Sequence, residues 1–112
     1  MNWKKAMPII KGVLFFLIFV ILYILSMACM TYYHEGVHQQ IFARFDIKST
    51  VHYDFLWMGG QTIAEDYPVC KTECQQLHAW NEIIGYSLIA FSHMLWFLFW
   101  ACMIWTMFRE GK

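Results

Sequence analysis

Two long apolar blocks decide most of what this chain can become. The first runs from Gly12 to Tyr33 and contains the charge-free stretch VLFFLIFVILYILSMACM. The second runs from Ile83 to Phe108 and is interrupted by Ser87, Ser92 and His93. A helix needs about 20 apolar residues to cross the hydrocarbon core of a bilayer, and both blocks reach that length. Two buried helices of a soluble protein are excluded by size. The segment between the blocks, about 50 residues, is too small to cover both. Hydrophobic residues make up 60% of the chain and charged residues 14%, far from the balance of a soluble domain. The formal net charge is zero, so nothing favours a nucleic-acid partner.

The expected fold is therefore a mainly α membrane protein. Two antiparallel transmembrane helices carry a small extramembrane layer that contains a short β-hairpin. We read residues 1–112 as a single membrane domain. Span one covers about 12–33, span two about 82–108, and residues 46–80 hold the hairpin and the start of the second helix. Lys4 and Lys5, with Ser26-Met27-Ala28 further on, give the first block some features of a cleavable signal. Its apolar stretch exceeds the 7–15 residues of a signal core, so a retained anchor is expected.

Basic residues set the orientation. Lys4, Lys5 and Lys11 precede span one, and Arg109 and Lys112 follow span two. Arg44, Lys48 and Lys71 lie between, offset by acidic neighbours. Basic residues beside a span favour the cytoplasmic side, which puts both termini in the cytoplasm and the connecting segment outside. Trp3, Trp80, Trp105, Tyr32 and Tyr33 fall near the expected membrane boundaries, where amphipathic rings concentrate.

Helix one should continue past Tyr33 to about Phe45, since HEGVHQQIFARF is built of helix formers. The stretch STVHYDFLWMGGQTIAE is β-branched and aromatic with Gly59-Gly60 inside, which reads as a hairpin of undecided turn position. Asp66 and Pro68 look like the cap and first turn of the next helix. That helix should run into span two, with a bend near Trp80 or Gly85.

The chemistry sits at the end of span one. His34-Glu35-Gly36-Val37-His38 places two histidines at i and i+4, on one helix face, where both can aim a ring nitrogen at one metal ion. Zinc held by neutral imidazoles lowers the pKa of its bound water to about 7. Glu35, one residue along, is the candidate general base. A chance meeting of two histidines and a glutamate at a helix end is the competing reading of so short a motif.

A catalytic zinc takes a third protein ligand. Ile41 and Arg44 stand where an extended motif would need glycine and histidine, so the ligand must come from elsewhere. Lys11 to His38 and Glu82 to Arg109 are equal stretches of sequence, each about 40 Å long if helical. In an antiparallel pair this brings His38 level with Glu82, and His34 level with Tyr86. His78, one turn before Glu82, is the rival third ligand, or a donor to the reaction intermediate. Glu82 could instead pair with Arg44 or Lys71. Asn81 is a candidate orienting group, and Tyr86 a candidate oxyanion donor or a plain interfacial tyrosine.

HEGVH, followed by Glu82 in NEIIGY, resembles the gluzincin arrangement of zinc metallopeptidases. The chain is also similar to small membrane-embedded metallopeptidases that carry the motif on a membrane helix. The resemblance covers residues 34–38 and, more weakly, 81–86. It implies a zinc held by His34, His38 and Glu82, with Glu35 as base. With the orientation above, the leading expectation is hydrolysis of a peptide or membrane-protein segment at the outer membrane surface. The alternative is a non-catalytic small subunit of a larger membrane complex. A homo-oligomer is compatible with either.

Cys70 and Cys74 have i,i+4 spacing. They are a candidate disulfide, although bridging consecutive turns of one helix needs distortion. With His78 and His52 they are also a candidate second metal site. Cys29 and Cys102 read as buried apolar residues. His93 lies deep in span two, where a polar group is a functional candidate. It is either a neutral histidine hydrogen-bonded to Ser26 or another helix, or a ligand in a haem- or quinone-binding module.

Overall fold

The computed structural model describes residues 2–65 and 70–110. Helix α1 (Trp3–Arg44) leads to strand β1 (Ser49–Tyr53), a single 3₁₀ turn (Phe55–Trp57), strand β2 (Gly60–Ala64) and helix α2 (Thr72–Glu110). Two long apolar helices, consistent with membrane spans, are thus separated by a short antiparallel hairpin. Their most apolar windows are only 6% and 0% buried within the chain. Phe97 and Trp105, for example, are about 70% exposed. Side chains this apolar and this open are consistent with a lipid surround, since leaving each in water costs roughly 1.5–3 kcal/mol.

The spans meet along a seam of aromatic rings. Phe19 packs edge-on against Trp96 at 5.0 Å and tilted against Trp100 at 4.5 Å. One turn further, His93 crosses to α1. Its Nδ1 lies 2.8 Å from the Ile89 carbonyl, which can only accept, so Nδ1 carries the proton. Nε2 then accepts from the Tyr23 hydroxyl at 2.5 Å. Trp96 Nε1 donates to Ser26 Oγ at 3.2 Å, and Ser26 Oγ donates to the Tyr23 carbonyl at 3.0 Å. A polar group within a bilayer must find such partners internally. His93 therefore bonds across the helices as expected, but to Tyr23 and not Ser26. Both its nitrogens are engaged in these bonds. Cys29 and Cys102, expected to be buried, are exposed on the helix surfaces.

Helix α1 runs unbroken from the span through the histidine pair and stops at a Schellman cap. The Ile47 amide bonds the Phe42 carbonyl at 3.0 Å, and the Asp46 amide bonds the Ala43 carbonyl at 3.1 Å. Asp46 holds the left-handed position at φ 57°, where a short polar side chain is tolerated, and Ile47 is buried beyond it. The cap reverses the chain, so β1 starts beside Gln39, whose Nε2 donates to the Ser49 carbonyl at 3.4 Å. Pairing runs from Ser49 opposite Ala64 to Tyr53 opposite Gly60. Ser49, Val51 and Tyr53 of β1, with Gly60, Thr62 and Ala64 of β2, form the more covered face.

Asp66 and Pro68, expected as cap and first turn of α2, lie outside the described residues. Helix α2 begins at Thr72 and passes through Trp80 and Gly85 as one element, where a bend was expected.

Candidate metal centre

The helix register brings together one face of α1 and the root of span two. His34 and His38 sit one turn apart, their rings edge-to-face at 4.7 Å. His34 Nε2 and His38 Nε2 lie 3.2 Å apart. Glu82 Oε1 lies 3.2 Å from the first and 2.6 Å from the second. Three lone-pair atoms from two helices thus converge on one point, a set that could hold a metal ion. His38 is buried, while Glu82 keeps about 42% of its side chain open. This is the membrane-embedded protein's candidate metal site.

Glu82 pairs with neither Arg44 nor Lys71, the alternative partners weighed from sequence. Arg44 Nη2 instead reaches Glu73 Oε1 at 3.9 Å, an exposed pair worth little.

His78 stands behind His38, not beside the convergent atoms. Its Nδ1 is 2.6 Å from His38 Nδ1, on the far side of that ring, and the two rings stack at 4.9 Å. One of the two nitrogens must donate. If His38 Nδ1 carries the proton, its Nε2 is left as a lone pair facing Glu82, the tautomer a metal needs. Burial pushes the His78 pKa below the ordinary histidine value, and the neighbouring His38 adds to the fall. Both effects keep His78 neutral and able to accept. Phe42 closes over the same ring at 4.3 Å.

Glu35 is not one of the three convergent residues; it lines the same cavity as His34 and Glu82 and reaches the hairpin. It is buried, and Thr62 Oγ1 donates to its Oε2 at 2.5 Å. Gly60 of the same strand backs onto it. A Cβ there would meet Glu35 Cγ at 3.1 Å and Thr31 Cγ2 at 3.2 Å, so a side chain at this position would crowd the approach of strand to helix. Asn81 Nδ2 donates to the His34 carbonyl at 3.1 Å, which fastens α2 to the backbone of the first histidine. Tyr86 is largely exposed and lines a cavity of about 610 Å³ together with His34, Glu35, Glu82 and Gly60.

Cys70 and Cys74 are joined as a disulfide, with Cα atoms 5.4 Å apart. Distortion of a helix is not needed, because Cys70 precedes the first turn of α2. With His78 the two sulfurs form a second cluster of metal-ligand type, in which the disulfide occupies both sulfurs. His52, weighed as its fourth member, lies on the outward, exposed face of β1 and does not belong to it.

Thr62 and Gly85 were not visible as site residues in the sequence. Thr62 reaches Glu35 only through the hairpin register, which pattern alone left open. Gly85 drew attention in the sequence only as a possible bend; in the structure it gives clearance to the His34 ring. A Cβ at this position would collide with the His34 ring atoms Nδ1 and Cε1. Gly85→Ala is thus expected to push that ring off the cluster and weaken metal binding by at least about tenfold, the cost typical of a disturbed ligand support. Helical content should hold, since alanine favours helix over glycine by about 1 kcal/mol. Competition against a chromophoric chelator, beside circular dichroism, reads both. Unchanged affinity would mean the ring is not fixed by this clearance.

No protein-family model, no curated protein and no solved structure matches the chain.

Proposed function

We propose that this protein is a membrane-bound, zinc-dependent metallopeptidase that hydrolyses a peptide bond at the outer membrane surface. One observation carries the reading: two imidazole nitrogens and a carboxylate oxygen, from separate helices, converge within 3.2 Å of one another. Zinc–ligand bonds of 2.0–2.2 Å at tetrahedral angles separate neighbouring ligand atoms by roughly 3.3 Å. Two edges of the triangle match this spacing. The third, His38 to Glu82, is shorter, as a hydrogen bond between those groups would make it. A ligand set of two histidines and one glutamate, with one ligand partly exposed, suits a catalytic ion that keeps an open position.

Bound zinc supplies Lewis acidity and a water whose pKa is near 7. The chain supplies the rest. Glu35 accepts the proton of the attacking water and returns it to the leaving amine, its Oε2 held by Thr62. His78 sets the His38 tautomer through the Nδ1–Nδ1 bond. The Tyr86 hydroxyl serves as donor to the developing oxyanion from the cavity wall. The disulfide supports an extracytoplasmic hairpin, since such bonds persist in oxidising compartments. Together with the basic flanks, it supports the reading that both termini are cytoplasmic.

The test is elemental analysis of purified, folded protein together with an unbiased peptide-cleavage screen. We expect one zinc per chain and cleavage that stops on chelation and returns with zinc. A folded chain that takes up no zinc at micromolar metal would end the proposal.

The alternative, a non-catalytic subunit of a larger membrane complex, has one observation in its favour. The span surfaces are almost wholly uncovered within the chain, which leaves room for partner helices. Fixed-ratio copurification with no peptide cleavage would select it.

A further inference from the structure

The hairpin does not stand up into water; it folds back toward the membrane. The cap at Asp46 reverses the chain, and successive contacts then descend α1. Ser49 meets Gln39, Thr62 meets Glu35, and Gly60 lies against Thr31. The step from Gln39 back to Thr31 is about 12 Å along the helix axis. A five-residue strand covers about 16 Å, enough to carry the tip beyond Thr31. Thr31 belongs to the apolar block that ends at Tyr33. The tip therefore sits at the height of the upper end of span one. Its neighbours agree, because Met58 and Gly59 line one cavity with Cys29, Met30, Leu88 and Ile89, all residues of the spans.

The tip's composition fits that depth and does not fit water. It reads Phe55-Leu56-Trp57-Met58, and these side chains are 84%, 42%, 57% and 37% exposed. Leu56 and Trp57 both take the left-handed backbone at φ 57° and 54°, a conformation that bulky residues rarely adopt. Held this way, four consecutive apolar side chains face outward at the membrane boundary, the zone that aromatic rings prefer. The other end of the hairpin is charged, with Lys48 beside Glu65.

We infer that the hairpin tip, residues 55–58, is a third membrane-contacting element, seated in the lipid between headgroups and acyl chains. The cavity beside the metal cluster consequently opens toward lipid as well as toward the hairpin. The occupant of the exposed tip is the bilayer itself, not a partner protein.

The test is independent of metal and of catalysis. In vesicles holding the unsubstituted protein, a phospholipid with a diazirine on its acyl chain is photolysed and the adducts are located by mass spectrometry. Adducts on residues 55–58 and none on 61–65 are expected; labelled spans with an unlabelled tip would overturn the inference. A second arm places an environment-sensitive thiol fluorophore on Trp57→Cys, with Cys29 and Cys102 replaced by serine and the disulfide left oxidised. Its emission should shift to the blue and be quenched by nitroxide lipid but not by iodide, whereas the same label on Glu65→Cys should show the reverse. Equal quenching of both labels by iodide would sink the proposal. A tip buried under a partner protein would show neither lipid adducts nor iodide quenching, and would overturn it too.

Discussion

Glu35→Gln should abolish peptide hydrolysis for practical purposes, by about 10²–10⁴-fold, while the protein keeps its zinc. In the proposed mechanism the adjacent residues have two separate jobs. His34 and His38 belong to the convergent triangle, and Glu35 does not. Its carboxylate is buried and turned toward the hairpin, where Thr62 holds one oxygen. Glutamine has the same shape and can still accept that hydroxyl proton through its amide oxygen, so packing and metal content should be unchanged. What glutamine cannot do is take a proton from water at neutral pH. Turnover measured beside zinc content, on protein of matched melting temperature, reads the two effects separately. Full activity in the variant would remove Glu35 from the chemistry and return the site to a structural role. Loss of zinc would mean that the carboxylate supports the ligands directly.

How much of this was legible beforehand differs from element to element. The spans were, because about 20 uncharged residues in a row have few other homes. Equal helix lengths between the basic ends and the motif also put His38 level with Glu82, since 1.5 Å per residue is a rigid rule in a helix. The same arithmetic placed His34 level with Tyr86; the ring in fact lies over Gly85, within one residue. Side-chain direction was less legible. His78 and Glu82 are one turn apart on one face, and spacing alone could not say that one would meet His38 at Nε2 and the other at Nδ1. The hairpin was legible as a composition and not as a register. Gly59-Gly60 marked a turn region, yet the turn is made by Asp54 to Gly59, with left-handed Leu56 and Trp57 that no propensity favours. Thr62 could not be assigned to Glu35 until that register was known. The disulfide was expected to strain a helix, because the sequence does not show that α2 starts two residues after Cys70.

The larger loss of metal should come from Glu82→Ala, with His78→Ala as its counterpart. Removing Glu82 takes away one of three ligand atoms and the only acidic one in the triangle. Two neutral imidazoles are left to hold a dication, and the protein should emerge from dialysis with essentially no zinc and no hydrolysis. His78→Ala removes no ligand. It removes the partner that, in the proposed mechanism, fixes the His38 tautomer, a loss that typically costs 10–100-fold in affinity. That variant should bind zinc when it is supplied in excess, and lose it to chelators that the unsubstituted protein resists. Were His78 the third ligand instead, the order would invert: His78→Ala would be empty and Glu82→Ala merely weakened. Zinc content and chelator competition on the pair therefore decide which residue of α2 completes the site. The geometry favours Glu82 for a simple reason. Its carboxylate oxygen lies within 3.2 Å of both Nε2 atoms, whereas His78 meets His38 through Nδ1, the nitrogen on the opposite side of the ring.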